Sequence, residues 1–380
     1  MSPGRPAGPW STWREARPPA RLVHLDSASA GRSSYAVIDA VTGHLRREAE
    51  VGGYVAAEQV APDLAQARHD LGALLDLGAG DLAFVESATA ALEVLLRVWP
   101  LPDGARVGVP PSCWGPNVEL LRRRGLDPVA LPVDDAGVLT PELLEDRLRD
   151  DPPDLLLVDL VAAHRGLVQP VRELSPVARR HGVPLWVDVA QGLGHVDART
   201  GADAVVATSR KWLAGPRGVG LVGVAAPWHD RLRVPPRAKH PGAGPVALLE
   251  SDEAHVAGRL GLGVAAAELL TTGPGAVVYR LAEVGREVRD ALADVPGWRV
   301  VGPAAPAVAI TAVEPTSGQD PARVCADLRG TGVLTTLCLP WRAPGEVPAD
   351  HPGSLRISPH VDLVAADLDA LARGLAAARR

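Results

Sequence analysis

Lys211 is one of two lysines among 39 Lys and Arg residues in a chain of 380; the other is Lys239. Arginine holds its proton in any protein, so it can neither condense with a carbonyl nor serve as a general base, whereas an amine can do both. Lys211 stands in Thr208-Ser209-Arg210-Lys211-Trp212-Leu213-Ala214-Gly215-Pro216-Arg217-Gly218-Val219-Gly220, directly after the apolar run 204–207. Upstream, His181-Gly182-Val183-Pro184 stops a helix, and Leu185-Trp186-Val187-Asp188 reads as a strand with an acid at its carboxyl end. In open α/β sheets that end is where ligands bind, and both strands deliver their polar residues to it.

A carboxylate and an amine on adjacent strand ends suit a pyridine aldehyde: the acid keeps the ring nitrogen protonated, and the amine holds the aldehyde covalently. A structural Asp–Lys ion pair would use the same two residues. Residues 82–96 read as a strand, a small-residue turn and a helix with Leu92, Leu95 and Leu96 on its apolar face. The helix-start amides of Ser87, Ala88 and Thr89 would cradle a phosphate, although Ser and Thr open many helices that bind nothing. Trp114, in the loop after the strand 105–109, offers a flat ring for stacking; core packing is the other use of an indole there.

These residues need a scaffold, and the rest of the chain reads as one. From about 25 to 272, short apolar runs alternate with helical patterns, for example 154–160, 171–180 and 185–189, which predicts crossover units on a mostly parallel sheet flanked by helices. After Gly273-Pro274-Gly275 the pattern predicts a helix over 276–293, strands at 298–301 and 307–313, a helix over 321–329, a strand at 355–358 and a last helix from 364. Residues 273–380 thus read as a smaller α+β domain that the arm 1–24 joins. The proline-rich stretch 232–245 reads as a loop. No stretch approaches the roughly 18 apolar residues of a membrane span, the amino terminus lacks an apolar signal core, and a cytoplasmic protein is expected. Cys113, Cys325 and Cys338 have no metal-ligand spacing, so no metal is expected, and a net charge of −6 argues against nucleic acid as partner.

In this order and spacing the segments resemble the class V aminotransferase family of fold-type I pyridoxal-phosphate enzymes, over nearly the whole chain. Leu25-Asp26-Ser27-Ala28-Ser29-Ala30 is similar to the family's substrate-side loop, Gly166-Leu167-Val168-Gln169-Pro170 to the loop before the helix that leads to the Asp strand, and Leu355-Arg356-Ile357-Ser358-Pro359-His360 to the strand that binds a substrate carboxylate. The resemblance implies pyridoxal 5'-phosphate on Lys211, with Asp188 at its ring nitrogen and Gln191 at its phenolic oxygen. Ser87, Ala88 and Thr89 would hold the phosphate, with Thr208 in place of the family's serine and Arg210 in place of its histidine. Trp114 would stack on the ring. A small amino-acid substrate would meet Arg356 and Ser27, and His164 or Arg165 where relatives often have an asparagine. The family works as homodimers with active sites at the interface.

Within the family, Thr-Ser-Arg-Lys-Trp, Trp-Gly-Pro-Asn and Arg-Ile-Ser-Pro-His resemble the carbon–sulfur lyases that cleave hercynylcysteine sulfoxide in ergothioneine biosynthesis, yielding ergothioneine after reduction, pyruvate and ammonia. Glu253 falls where relatives place a threonine that reaches the neighbouring subunit's phosphate. Trp341, Trp10, Tyr35 and Tyr54 are the aromatic candidates for a trimethylammonium group. A cysteine desulfurase would need a nucleophilic thiol on a mobile loop, and Cys338 comes some three residues too early, in an apolar run that reads as buried. An aminotransferase or epimerase would keep the same cofactor residues. Gly192-Leu193-Gly194 is a short match to a nicotinamide-binding turn and lacks the third glycine.

Overall fold

The computed structural model describes residues 9–236, 242–303 and 305–377. Lys239 and part of the loop 232–245 lie outside them. In chain order the strands are β1 (Val23–His24), β2 (Leu82–Val85), β3 (Arg106–Val109), β4 (Asp127–Ala130), β5 (Leu155–Asp159), β6 (Leu185–Asp188), β7 (Ala204–Thr208) and β8 (Gly220–Val224). β9 (Trp298–Val301), β10 (Thr311–Pro315), β11 (Val333–Leu334), β12 (Thr336–Cys338) and β13 (Ser354–Ile357) follow.

β2 through β8 form one sheet of order β2-β8-β7-β6-β5-β3-β4, in which β8 alone runs against its neighbours. β2, β5, β6, β7 and β8 are buried along their whole length. Helices cover both faces, which is why these strands read as continuous apolar runs and not as alternation. Register sets the chemistry: Asp159 lies opposite Asp188, and Gly220 opposite both Thr208 and Val85. One edge of the sheet therefore carries two adjacent acids, the Thr208–Lys211 turn and the start of the helix Ala88–Val98.

The second sheet is antiparallel, β12-β13-β10-β9. The amino-terminal segment runs beside it: β1 pairs in parallel with β11 as a separate two-stranded sheet, and Asp26 bridges to Ser358 just after β13. The strand expected at 307–313 instead begins at Thr311. Residues 308–310 are engaged elsewhere: Ala309 N–H donates to His195 Nε2 at 2.9 Å, and Val308 O crowds Gly285 of the helix Pro274–Leu292 so closely that a Cβ there would sit at 1.9 Å.

Candidate active site

The turn after β7 is held by its own backbone, with Gly215 N–H donating to Ser209 O and Ala214 N–H to Lys211 O, both at 3.0 Å. Ala214 takes the left-handed conformation, φ 55°, which is costly for a residue with a Cβ and fixes where the preceding side chains go. From the other side the loop 26–31 closes on the turn. Gly31 N–H donates to Arg210 O at 2.7 Å, and a Cβ on Gly31 would come to 2.3 Å of Lys211 O. Arg210 donates to Ser29 O. Lys211 keeps part of its surface open. Crowding by neighbouring atoms, and then the cations Arg210 and Arg356, push its pKa down to about 8 against the pull of Asp188.

Asp188 is buried and accepts Asn117 Nδ2 and Ala190 N–H, both at 2.8 Å. Beside it Asp159 is buried too and accepts Trp114 N–H at 2.7 Å. Burial, then the charge of Asp188, holds the Asp159 carboxyl well above the usual carboxylate range. Two carboxylates at one register cannot both shed their protons cheaply, so the pair settles on a single charge. Asp188 has the two fixed N–H donors, an arrangement that suits a carboxylate. Asp159 and Asn117 are the functional residues that sequence reading missed, although Asp159 ends an apolar strand just as Asp188 does.

Ser87 caps the helix Ala88–Val98, its Oγ accepting Ala90 N–H at 3.1 Å. The amides of Ala88 and Thr89 then have no helical acceptor and point out of the helix start. Gly220 backs this turn: a Cβ there would lie 2.8 Å from Ser87 C and 2.5 Å from Ala207 O. Thr208 is buried at the end of β7. Gln191 donates to Ala28 O and accepts Trp212 Nε1–H, both at 2.9 Å. It therefore ties the loop 26–31 to the lysine turn and has one amide hydrogen left to give. Gly194 has φ 82°, and a Cβ there would lie 3.0 Å from Trp212 C, so the Gly192–Gly194 turn serves packing and not a dinucleotide.

On the substrate side, Arg356 is fully buried; it donates to Ala163 O at 2.9 Å, Asp26 Oδ1 at 3.2 Å and Ser29 Oγ at 2.6 Å. Its Nε has no partner among the described residues. Ser29, not Ser27, is thus the serine brought to Arg356. Ser27 is buried with its hydroxyl unpaired and lines a cavity of about 630 Å³ beside Trp13 and His360, whereas Asp26 and Ser29, three residues apart in the turn, both face Arg356. His164 and Arg165 are engaged by Glu346: His164 Nε2 stands 3.4 Å from its carboxylate and Arg165 pairs with it directly. They line a different cavity, of about 390 Å³. Trp114 packs edge-on against Trp341 with ring centroids 5.3 Å apart. Glu253 is exposed, whereas Glu250 holds Arg68 and Arg259, each at 2.7 Å, and Phe84 N–H at 2.9 Å. Cys338 is buried on β12, and burial pushes its thiol up.

A mostly parallel sheet whose carboxyl edge pairs a buried acid with a lysine, beside a helix start, is the arrangement the resemblance implies. The chain belongs to the class V aminotransferase family, whose model matches residues 23–371. It is 44% identical over 369 residues to the probable hercynylcysteine sulfoxide lyase of Mycobacterium tuberculosis, covering 96% of this chain and 92% of that protein. The probable cysteine desulfurase of Halalkalibacterium halodurans is more distant, at 24% identity over 93% of this chain and 92% of its own length. Among solved structures, the cysteine desulfurase CsdA of Escherichia coli superposes with a TM-score of 0.85 at 19% identity, covering 98% of each chain. A variant of C-DES with glycine covalently linked to the PLP cofactor gives 0.84 at 17%, covering 95% of this chain and 97% of that one. At these identities the structures establish the fold.

Proposed function

We propose that this chain is a pyridoxal-phosphate-dependent carbon–sulfur β-lyase acting on hercynylcysteine sulfoxide. The near full-length likeness to the M. tuberculosis protein supports the substrate. The observation that carries the lyase over the desulfurase is the placement of Cys338: buried, with its proton held more tightly than usual, it cannot serve as the exposed thiolate that takes sulfur from cysteine.

The donor set fits the cofactor. Unclaimed amides at Ala88 and Thr89, with the hydroxyl of Thr208 and the guanidinium of Arg210, suit a phosphate. The charge held on Asp188 suits a protonated ring nitrogen, and the remaining hydrogen of Gln191 a phenolic oxygen. Pyridoxal phosphate, when bound to the substrate amine, supplies an electron sink that weakens the Cα–H bond. With a pKa near 8, Lys211 is neutral often enough at physiological pH to take that proton, and it can return one to the departing fragment. Arg356, seated on Ser29 and Asp26, orients the substrate carboxylate. The β-carbon–sulfur bond then breaks with its electron pair leaving on sulfur. With one water added, the products balance as a sulfenic acid, pyruvate and ammonia; a two-electron reductant converts the sulfenic acid to the thiol.

The same reading takes the chain to be a cytoplasmic homodimer with active sites at the subunit interface. Product analysis tests the reaction: purified holoenzyme given hercynylcysteine sulfoxide and no keto acid releases pyruvate and ammonia in equal amounts. Dependence on a keto acceptor, or racemisation without cleavage, would assign it instead to the aminotransferases or epimerases.

A further inference from the structure

The strap between β12 and β13 is firmly seated. Pro340–Arg342 forms a short 3-10 turn, Ala343 is fully buried, and Trp341 O lies so close to the helix Gly115–Arg123 that a Cβ on Gly115 would come to 1.9 Å. The strap thus holds Trp341 and Arg342 beside Trp114, whose backbone is bonded to Asp159 on the reaction side. The indoles meet at 66°, and Arg342 Cζ stands 4.8 Å from the Trp341 ring centroid and 5.4 Å from that of Trp114. Trp341 is nevertheless 49% exposed, a large aromatic surface left open beside the site.

Arg342 Nε is buried without a hydrogen-bond partner among the described residues, and so is Arg356 Nε. Burial, and then the neighbouring Arg356 guanidinium, lower the proton affinity of Arg342 against the pull of Cys338 and Asp26. Buried donors are rarely left unpaired. Two orphaned cationic donors at one site match a ligand that carries two carboxylates. Hercynylcysteine sulfoxide has two: one on its cysteine carbon, and one on its histidine betaine, beside a trimethylammonium group.

We propose that Trp341 and Arg342 form the subsite for the betaine end of the substrate, Arg342 binding its carboxylate and the open face of Trp341 its trimethylammonium, while Arg356 holds the cysteine carboxylate. The assignment rests on the lyase reading above. Its physical logic is that a quaternary ammonium is drawn to a ring face, where no hydrogen bond is required, and a carboxylate to a desolvated guanidinium. A zwitterion satisfies both at once, and an indole and an arginine side by side are of little use to a substrate with only one carboxylate.

The test compares kcat/KM of the holoenzyme on hercynylcysteine sulfoxide and on S-methylcysteine sulfoxide, which lacks the betaine, and measures binding of hercynine, the betaine alone, by calorimetry. Arg342→Met is expected to lower the ratio of the two kcat/KM values roughly 10- to 100-fold, as for one charged hydrogen-bonded contact. Trp341→Ala should lower it by about 2- to 30-fold, with Trp341→Phe restoring most of the loss. Hercynine should bind the wild type and lose that binding in Arg342→Met. Equal losses on both substrates, or hercynine binding that Arg342→Met leaves intact, would overturn the subsite. Failure of the wild type to release pyruvate from hercynylcysteine sulfoxide would instead overturn the lyase reading, and hercynine binding would then decide the subsite alone.

Discussion

At the scale of single residues the site works by unequal treatment of like groups. Two acids stand at one register of the sheet, and only Asp188 is given two N–H donors; Asp159, raised by burial and by its neighbour, keeps its proton. Asp188→Ala is therefore expected to lower kcat at least 100-fold, in line with about 3 to 5 kcal/mol for removing one member of a buried charge pair, while Asp159→Asn stays within roughly tenfold because it replaces a group already neutral. Steady-state kinetics of the two variants checks this, and equal losses would contradict the division of roles. Lys211 makes a second prediction. Its pKa is lowered to about 8, so the amine is protonated below that value and free above it, and the rate at which apoenzyme takes up pyridoxal phosphate should rise with pH and level off above about 8. Stopped-flow absorbance follows the uptake; after borohydride reduction the cofactor should map to Lys211, and a map to Lys239 would refute the assignment.

At the scale of elements, much was legible because strand ends announce themselves. Continuous apolar runs ending in a polar residue located β5, β6 and β7, and with them Asp188 and Lys211. What was not legible depends on pairing across long sequence separations. Nothing local says that Asp159 and Asp188 share a register, that Asn117 reaches Asp188, or that the turn 26–29 brings Ser29 and not Ser27 to Arg356. The resemblance sets His164 and Arg165 at the substrate, and in the structure Glu346, far along the sequence, engages both. Nor does β8 announce its reversed direction: Gly-Leu-Val-Gly-Val looks like any buried strand. Its first glycine has a steric role, for it lets the sheet pass behind the turn at Ser87. Gly220→Ala would push a Cβ into Ser87 and Ala207 backbone atoms. Expected is a loss of about 1 to 3 kcal/mol of stability, with weaker cofactor binding than at a control glycine such as Gly80, where nothing lies within 4 Å. Thermal melts with and without pyridoxal phosphate measure both.

At the scale of the whole molecule, the two sheets are joined by buried, uncharged imidazoles. His195 donates through Nδ1 to Gln191 O and accepts Ala309 N–H at Nε2, which fixes its tautomer, and it stacks on Trp212 with centroids 3.8 Å apart. His360 donates to Trp212 O and stacks on Trp13 at 5.1 Å, beneath Arg17. Burial lowers the pKa of His195 to about 3 and of His360 to about 4 from an unfolded value of 6.5. Below 6.5 the unfolded chain binds protons that the folded chain refuses, so this stability is complete above 6.5 and is lost progressively as pH falls toward about 4 for His360 and about 3 for His195. The melting temperature should drop over that window, with a shallower drop in His195→Gln; a flat profile would show that the imidazoles are not buried neutral.

On the proposed function, this fold with these residues eliminates sulfur from a sulfoxide and does not abstract it with a thiol. Measuring product formation from hercynylcysteine sulfoxide and from free cysteine, on wild type and Cys338→Ser side by side, tests that claim most directly. Pyruvate from the sulfoxide, retained within roughly tenfold in Cys338→Ser, is the predicted result. Alanine from cysteine, abolished by the same substitution, would contradict it.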